Sequence, residues 1–300
     1  MLLASQKRLP VWLRRRLPAG PGETREILKR YGLNTVCESA LCPNRSECYS
    51  RNTATFMILG SVCTRRCGFC AIDSGKPQEV LPDEPQRVAE AARALGLEYV
   101  VVTSVARDEL EDEGAGHFAK TVSALRRMIP GVKVEVLTPD FHARRERIAA
   151  VVNAGPTVYN HNLETVERLQ KNVRPQAGYK RSLQVLETIK SLNPQMTTKS
   201  GLMLGLGEMR EEICRAAADL RASGCDILTL GQYLAPSRDH LQVERFIAPE
   251  EFAEIASDLK RLGFREIFAG PYVRSSYHAG ETFLNSVTEL ALKGKEDRGL

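Results

Sequence analysis

Seven extended apolar runs alternate with amphipathic segments along most of this 300-residue chain, and this alternation limits the possible folds more than any other feature. Repeated strand–helix–strand units imply parallel strands with crossover helices, because a tight turn cannot join parallel strands. Such crossovers are right-handed, which leaves a doubly wound sheet or a full or partial (β/α) barrel. The predicted strands span residues 53–60, 98–105, 133–139, 157–163, 197–207, 225–234 and 265–273.

Both ends of the chain lack this alternation. Residues 1–50 are basic and then cysteine-rich, with little hydrophobic periodicity, and the last residues form a tail that is polar at its end. A chain of this length can bury roughly 75% of its unfolded surface around one core, and no low-complexity tract divides its middle. We therefore expect one barrel over residues 51–273, with extensions over residues 1–50 and 274–300 lying against it.

Charge and hydropathy argue against several classes of protein. The chain has 42 Lys and Arg against 37 Asp and Glu, a net charge of +5, which is too small an excess to indicate nucleic-acid binding. No apolar run is long enough to span a bilayer, and the N-terminus lacks a continuous apolar region and a small-residue cleavage site. We expect a cytoplasmic protein. Six of the eight cysteines lie between residues 37 and 70, and in a reducing compartment this clustering favours metal binding over disulfides.

Three cysteines follow the first predicted strand, in the segment CTRRCGFC. Cys63, Cys67 and Cys70 form the pattern C-x3-C-x2-C. Structural zinc sites prefer paired C-x2-C units or a distant histidine pair, and none of the five histidines is spaced to another in that way. Three thiolates on one loop can instead hold a [4Fe–4S] cluster with one iron open to a substrate, at the carboxyl end of a strand where barrels place their chemistry. Zinc and buried structural thiols are the alternatives.

A second group of three cysteines lies upstream, in CESALCPNRSEC. Cys37, Cys42 and Cys48 are spaced C-x4-C-x5-C. The two trios could pool into one unusual zinc cluster, but two cubane clusters explain the count better because each trio would hold one. Cys214 lies in a helical segment and Cys225 begins a strand, and we expect both to fill apolar space.

C-x3-C-x2-C with an aromatic residue before its last cysteine, here Phe69, resembles the radical S-adenosylmethionine (SAM) enzymes. The resemblance to the lipoyl synthase family within them runs from about residue 8 to residue 282. One departure is Glu113, where the family usually has glycine, in a loop near the expected SAM site. The segments that carry the resemblance are CESALCPNRSEC, ATFMILGSVCTRRCGFC, VVTSVARDELED, NHNLETV, GLMLGLGE, LTLGQYLAPSRDHLQVERF and GPYVRSSYHAGE.

The resemblance implies a partial (β/α)6-type TIM barrel whose mouth is covered by the two extensions, with SAM and two [4Fe–4S] clusters as cofactors. It implies insertion of two sulfur atoms at C6 and C8 of an octanoyl group on a lysine of a lipoyl carrier protein or domain, with the upstream cluster as the sulfur donor. Hydrogens at those carbons are not acidic, so a radical generated from SAM has to remove them. An external electron donor such as flavodoxin or ferredoxin is implied, and we expect no nucleic-acid or membrane partner.

Possible SAM contacts come from strand ends. GLMLGLGE resembles the G-x-[IM]-x-G-x-x-E segment of radical SAM enzymes, where glycine lets the backbone approach the adenosyl group; a simple glycine-rich strand end is the alternative. Polar residues that end the second predicted strand or follow the fourth also fit ligand contact, although loops use such residues too. The predicted SAM contacts are Thr103, Ser104, Asn162, Glu164, Gly201, Gly205 and Glu208.

RSSYHAG resembles the family motif whose second serine, here Ser276, ligates the upstream cluster. An alkoxide is a hard ligand on iron in a soft sulfide cluster and should leave more easily than a thiolate, which would allow this cluster to release its sulfides. Arg274 would then stabilise the freed oxygen or the substrate. Two alternatives stay open: a biotin-synthase-like or methylthio-transferring radical SAM enzyme, against which the upstream trio and RSSY argue, and a non-catalytic zinc or redox module.

Overall fold

Eight strands form a single sheet in the computed structural model, which describes residues 8–14 and 22–296. The strands are β1 (Asn34–Thr35), β2 (Thr55–Ile58), β3 (Tyr99–Ser104), β4 (Lys133–Leu137), β5 (Val158–Asn160), β6 (Thr197–Leu204), β7 (Ile227–Gln232) and β8 (Glu266–Gly270). They pair in sequence order, β2 to β8 in parallel and β1 antiparallel to β2. The seven predicted strands correspond to β2–β8.

Helices follow the parallel strands and pack as crossovers. They are α1 (Gly22–Arg30), α2 (Val36–Ser39), α3 (Arg45–Ser50), α4 (Glu84–Ala94), α5 (Ala115–Met128), α6 (Arg145–Asn153), α7 (Gln170–Val173), α8 (Tyr179–Leu192), α9 (Arg210–Ala222), α10 (Pro249–Lys260) and α11 (Ala279–Glu296). Local signals fix several of their starts. Pro249 begins α10, where its missing N–H has no helical partner to lose, and the Glu212 side chain accepts the Met209 N–H at 2.8 Å at the start of α9.

Strand order determines the curvature of the sheet. Because each parallel strand pairs with the next one in sequence and the crossovers share one hand, the helices all lie on one face of the sheet. A sheet wound in one direction in this way curls into a barrel rather than a doubly wound layer. Within the described residues β1 and β8 are the two edges of the sheet, so the barrel is partial and one side stays open. The predicted α/β partial barrel is confirmed.

The two faces of the sheet differ in chemistry. The outward side chains of the strands are apolar, including the paired rows Val100–Val134 and Val102–Val136, and they form the buried core with the helices. The inward side chains include charged and polar residues, such as Glu135 and the paired Asn160 and Lys199, among apolar ones such as Leu137. This alternation follows from the two-residue period of a strand.

A buried ion pair crosses the interior of the barrel. Lys199 Nζ donates to Glu135 Oε1 at 3.0 Å and Oε2 at 3.1 Å, and both side chains are almost fully inaccessible. Asn160 Nδ2 donates to Glu135 Oε1 at 2.9 Å, and the Tyr99 hydroxyl donates to Oε2 at 2.7 Å. Both carboxylate oxygens are therefore satisfied, which is the condition under which a buried charge pair is tolerated.

Parts of both predicted extensions cover the open side of the barrel. In the N-terminal part, β1 adds a short antiparallel strand that the sequence did not predict. Asn44 Nδ2 donates to the Tyr272 carbonyl at 2.7 Å, and the Tyr277 hydroxyl donates to Glu47 at 3.0 Å, so segments from opposite ends of the chain meet here. Residues 1–7, 15–21 and 297–300, which belong to the predicted extensions, lie outside the described residues.

The helices of the described region were considered as possible membrane spans by length and apolar character alone. None of these helices combines the length and the apolar character needed to cross a bilayer.

Removing one partner of the interior pair should be costly. Glu135→Ala leaves the Lys199 ammonium buried without its carboxylate, and we expect the unfolding free energy to fall by about 3–5 kcal/mol. Urea unfolding of the cofactor-free protein, followed by circular dichroism, measures this loss. The matched control is Glu135→Leu combined with Lys199→Met, which removes both charges and should recover most of the stability. Wild-type stability in Glu135→Ala would show that the pair contributes nothing.

Candidate functional site

The loop that carries the first cysteine trio begins at a sharp turn after β2. Leu59 has φ 70° and Gly60 has φ 96°, so the turn holds a leucine in the left-handed region that favours glycine. Two side chains fix this leucine: Glu84 Oε2 accepts its N–H at 2.8 Å, and Arg107 donates to its carbonyl at 2.8 Å. His117 Nε2 lies 2.7 Å from the same Glu84 oxygen. The direction in which the cysteine loop leaves the strand is therefore fixed by buried polar contacts.

Cys63, Cys67 and Cys70 lie on one loop, and Cys67 and Cys70 interact electrostatically with the other cysteines of this trio. Burial, with smaller contributions from Cys67 and Cys63, raises the pKa of Cys70 to about 12. Burial also raises the pKa of Cys67, and Cys63 contributes to that rise. A bound cation would offset the electrostatic repulsion that raises the pKa of Cys67 and Cys70. Cys63 Sγ already accepts the Ala106 N–H at 3.3 Å.

Arg65, between the first two of these cysteines, anchors the loop to the barrel. Its guanidinium donates to Asp108 at 2.7–3.1 Å and to Asp140 at 2.8 Å. Hydrogen bonds from Arg65 hold the pKa of both carboxyl groups below their usual values, despite burial that acts in the opposite direction. Arg181 adds a second contact to Asp140 at 3.2 Å. This charged network lies directly behind the cysteine loop.

The far side of the same loop is held by main-chain contacts. Gly68 donates its N–H to the Val173 carbonyl at 2.9 Å and accepts from the Leu241 N–H at 3.1 Å. A Cβ at Gly68 would lie 3.0 Å from the Leu241 side chain, so glycine suits this close approach. His240 Nε2 lies 3.1 Å from the Cys70 carbonyl.

Cys37, Cys42 and Cys48 form a separate centre. Burial raises the pKa of Cys37 to about 11, and the next contribution comes from Cys42. Burial raises the pKa of Cys48 to about 12, with further contributions from Cys37 and Cys42. In each trio the cysteines that perturb one another belong to that trio alone. This pattern favours two centres over one pooled site.

A cavity of about 350 Å³ connects the two trios. We call it the central cavity; it lies at the carboxyl ends of β4–β7. Cys42 of one trio and Cys70 of the other both line it, together with Ser276. The predicted residues that share this lining are Asn162, Glu164, Gly201 and Arg274, and apolar walls come from Leu41, Leu137, Met203 and Val273. One space therefore contacts both candidate metal centres.

Asn162 and Glu164 present polar groups to the central cavity. Asn162 Nδ2 donates to Glu164 Oε1 at 3.0 Å and to Ser275 Oγ at 2.6 Å. Asn162 Oδ1 is buried and has no hydrogen-bond partner among the described residues. Burial raises the pKa of Glu164, although Arg174 and Asn162 act to lower it. An orphaned acceptor beside a carboxyl group suits a ligand that carries an ammonium group.

Gly201 leaves open space in the central cavity next to Asn162. A Cβ there would lie 2.6 Å from Thr229 Oγ1 and 3.1 Å from Asn162 Oδ1, so only glycine leaves the floor of the central cavity open. Together with the cysteine trio, the open floor and the orphaned acceptor fit SAM and an iron–sulfur cluster as bound groups.

Four predicted SAM contacts do not line the central cavity. Thr103 donates to the Leu137 carbonyl at 2.9 Å, and Ser104 has a buried hydroxyl without a partner among the described residues. The Glu208 carboxylate accepts the N–H groups of Gly205 and Leu206 at 2.5 Å and 2.9 Å, so it stabilises its own loop. The roles predicted for Thr103, Ser104, Gly205 and Glu208 stay predictions.

Glu113, the residue that departs from the family pattern, does not line the central cavity. Its φ of 52° explains why glycine suits this position. Its side chain is buried and accepts from His142 Nδ1 at 2.5 Å and from Arg147, and His142 Nδ1 is 4.0 Å from Asp108.

Sequence reasoning missed the residues that support the site. Arg65 was visible inside CTRRCGFC, but its partners Asp108 and Asp140 are 43 and 75 residues away. Arg174 was also missed; it donates to the Asn162 and Leu163 carbonyls at 3.0 Å and 3.2 Å. No spacing rule points to these partners.

Comparisons with known proteins show the family of this chain. The family model described as the radical SAM superfamily matches residues 57–220. The lipoyl synthase of Rubrobacter xylanophilus is 54% identical over 274 residues, which cover 91% of this chain and 85% of that protein. The lipoyl synthase of Caldanaerobacter subterraneus is 53% identical over 273 residues, covering 91% and 96%. The chain belongs to the lipoyl synthase family.

Membership in the lipoyl synthase family establishes the activity and the cofactors of this chain. The chain is a radical SAM enzyme with the function of a lipoyl synthase, and its cofactors are SAM and two [4Fe–4S] clusters. The predicted family, activity and cofactors are confirmed. The biotin-synthase-like and zinc-module alternatives find no support at identities of this level.

Two solved structures of distant sequence share the fold. Methylornithine synthase superposes with a TM-score of 0.56 at 12% identity, covering 84% of this chain and 75% of that one. Streptococcus suis SuiB bound to S-adenosylmethionine gives a TM-score of 0.54 at 11% identity, covering 75% and 54%. At these identities the likeness shows the fold alone.

The raised pKa of Glu164 predicts a pH-dependent effect on stability. The folded protein keeps this proton to a higher pH than the unfolded chain, so the ionised carboxylate lowers stability above the raised pKa and not below the ordinary value of about 4.3. Glu164→Gln should therefore raise the melting temperature of the cofactor-free protein at pH 7–8, and the gain should shrink as the pH falls toward about 4.3. Calorimetry across this range measures it. Glu167→Gln, on an exposed side chain three residues away, is the control and should change little.

Proposed function

We propose that Cys63, Cys67 and Cys70 hold the cluster that binds SAM, and that Cys37, Cys42, Cys48 and Ser276 hold an auxiliary cluster that donates sulfur. The observation that carries the proposal is the central cavity, which Cys70, Cys42 and Ser276 line together. A single space that contacts both centres allows one substrate chain to meet first one centre and then the other. When bound, SAM and the clusters supply the radical that removes hydrogen from unactivated carbon and the sulfur that replaces it.

The chain's own residues prepare the first centre. The Ala106 N–H at 3.3 Å from Cys63 Sγ stabilises a thiolate at that position. Arg65 keeps the loop fixed through Asp108 and Asp140, so the three sulfurs keep one geometry. Residues that hydrogen-bond around metal ligands orient those ligands and tune metal affinity and redox potential.

Asn162, Glu164 and Gly201 are the SAM contacts that we favour. Asn162 Oδ1 can accept from the amino group of SAM, and Glu164 balances its charge at neutral pH. Gly201 leaves the space that the rest of the ligand needs. Gly205 and Glu208 would act indirectly, since the Glu208 carboxylate fixes the turn at Gly205; Thr103 and Ser104 are candidates further from the cavity.

Ser276 and Arg274 complete the auxiliary centre in this proposal. Ser276 lines the central cavity beside Cys42, and the Tyr277–Glu47 hydrogen bond of 3.0 Å holds its segment next to α3. A serine oxygen binds iron less firmly than the three thiolates in this sulfide-rich environment. Arg274 also lines the cavity, close enough to Glu164 to lower the pKa of that carboxyl, and it can stabilise an oxygen that is released from iron.

The substrate of a lipoyl synthase is a lipoyl domain. We infer that its octanoyl-lysine arm enters the central cavity, where Leu41, Leu137, Met203 and Val273 offer apolar contact. Insertion at C6 and C8 would then follow. An external donor such as flavodoxin or ferredoxin would supply the electron, and the reaction would take place in the cytoplasm. Residues 51–273 would form the catalytic barrel, and the extensions 1–50 and 274–300 would cover it.

The two trios should have separable functions. Replacing Cys63, Cys67 or Cys70 with Ala should abolish reductive cleavage of SAM, because that centre would lose a ligand. Replacing Cys37, Cys42 or Cys48 should leave SAM cleavage measurable, remove about half of the roughly eight irons that two cubanes contain, and stop C–S bond formation. Product analysis with an octanoylated peptide and anaerobic iron and sulfide analysis provide the measurements.

Cys214→Ala is the matched control for the trios. Cys214 is partly buried and packs against the core, so its loss should cost about 1 kcal/mol of stability and no iron. Lipoyl product from an upstream-trio variant would show that the sulfur comes from elsewhere. A large loss of iron in Cys214→Ala would make that cysteine a ligand.

Ser276→Cys tests the labile ligand. The cluster should assemble at full iron content and SAM cleavage should continue, since a thiolate binds this iron more firmly. Lipoyl product should fall at least tenfold, because sulfur release needs the corner that the thiolate now holds. Single-turnover analysis of 5′-deoxyadenosine and lipoyl product together measures both steps. A wild-type product yield would refute the labile serine, whatever the ligand assignment.

A further inference from the structure

The turn that joins two proposed ligands of the auxiliary centre has a conformation that leucine rarely adopts. Helix α2 ends at Ser39, and the Cys42 N–H then donates to the Cys37 carbonyl at 3.1 Å. The Leu41 N–H donates to the Glu38 carbonyl, also at 3.1 Å. These two hydrogen bonds are the pair that closes a Schellman turn at the end of a helix. The turn therefore fixes the backbone of Cys42 relative to that of Cys37.

Leu41 occupies the position of this turn at which glycine is usual. Its φ is 50°, in the left-handed region where a Cβ atom crowds the backbone. Both hydrogen bonds of the turn use main-chain atoms alone, so glycine would form them with less strain. A strained residue persists where its side chain has a separate use, and the leucine side chain is therefore expected to have one.

The Leu41 side chain lies at the central cavity. The residue lines this cavity, yet 59% of its surface is accessible. Val36, Ala40 and Pro43 of the same segment also line the cavity, so the segment gives the cavity an apolar wall. An apolar side chain that is this exposed remains in contact with water until a ligand covers it. Leu41 is thus available to an apolar ligand.

The position of Leu41 next to Cys42 indicates which ligand can cover it. Cys42 belongs to the proposed sulfur-donating centre, and a carbon that receives sulfur has to lie beside that centre. The receiving carbons C6 and C8 belong to the alkyl chain of the octanoyl group. SAM carries charged groups, for which Asn162 and Glu164 are the favoured contacts, so an exposed leucine beside Cys42 suits the alkyl chain better than SAM.

We propose that Leu41 is a specificity-determining contact for the octanoyl chain, which packs against this side chain while it lies next to the auxiliary centre. The inference rests on the proposed function, in which the octanoyl-lysine arm enters the central cavity. Because the Schellman turn fixes the Leu41 backbone before the substrate arrives, binding does not have to order this segment. The contact with the alkyl chain offsets the strain that leucine introduces at this position.

Substrate binding without turnover tests this contact. The full-length enzyme, loaded with both clusters and SAM and kept anaerobic without reductant, is titrated with octanoylated lipoyl domain and, separately, with unacylated lipoyl domain. Leu41→Gly removes the side chain. Leu41→Asn replaces it with a polar side chain that tolerates the left-handed conformation. In both variants the Kd for the octanoylated domain should rise at least about fivefold, and the Kd for the unacylated domain should not change.

Two further variants separate the apolar contact from other effects. Leu41→Met keeps an apolar, adaptable side chain and should bind the octanoylated domain nearly as tightly as wild type. Leu81→Asn is the matched control, because Leu81 is 53% exposed but does not line the central cavity; it should leave both Kd values unchanged. Iron content and the Kd for SAM should match wild type in every variant, because the turn and the proposed ligands remain.

The outcomes that contradict this contact differ from those that contradict the proposed function. Wild-type affinity for the octanoylated domain in both Leu41→Gly and Leu41→Asn would overturn the contact. So would an equal loss of affinity for the two forms of the domain, or a loss of iron, since Leu41 would then act on the domain surface or on the centre. If wild-type enzyme bound the two forms equally, the octanoyl chain would not enter the central cavity, and the proposed function itself would fail.

Discussion

Two hydrogen bonds across the open side of the barrel join the segment before β2 to the segment after β8, and the proposed auxiliary centre depends on this contact. Asn44 donates to the Tyr272 carbonyl at 2.7 Å and Tyr277 donates to Glu47 at 3.0 Å. A closed barrel would have no gap there for two extensions to fill. Because this barrel ends at β8 without closing, a cysteine-rich segment from one end and Ser276 from the other can meet beside the strand ends.

The fold was predictable because its signal is periodic and local. Each of the seven parallel strands coincides with a run rich in apolar residues, and each cysteine of the trios was visible by spacing. β1 was missed because a two-residue strand has no periodicity to detect. The site was predictable only in part. Asn162 and Ser275 are 113 residues apart and meet at 2.6 Å, a pairing that no local pattern contains.

Glu208 shows why polarity at a strand end is an ambiguous signal. A turn after a parallel strand leaves backbone N–H groups without partners, and a nearby carboxylate can satisfy them. In this chain Glu208 accepts two such groups, from Gly205 and Leu206. Glu164 also follows a strand end, but its carboxyl group accepts from a side chain and lines the central cavity. The difference is set by where β6 and its neighbours place each turn, which is tertiary information.

Glu113 shows how a departure from a family pattern can be absorbed away from the chemistry. At φ 52° the backbone keeps the left-handed conformation for which glycine is suited, which costs a non-glycine residue of order 1 kcal/mol. Its carboxylate recovers energy by accepting from His142 and Arg147. The new charge lies next to Asp108, whose own charge is balanced by Arg65. The Glu113 carboxylate has a cationic partner in Arg147, while its Oε2 is buried without a hydrogen-bond partner among the described residues.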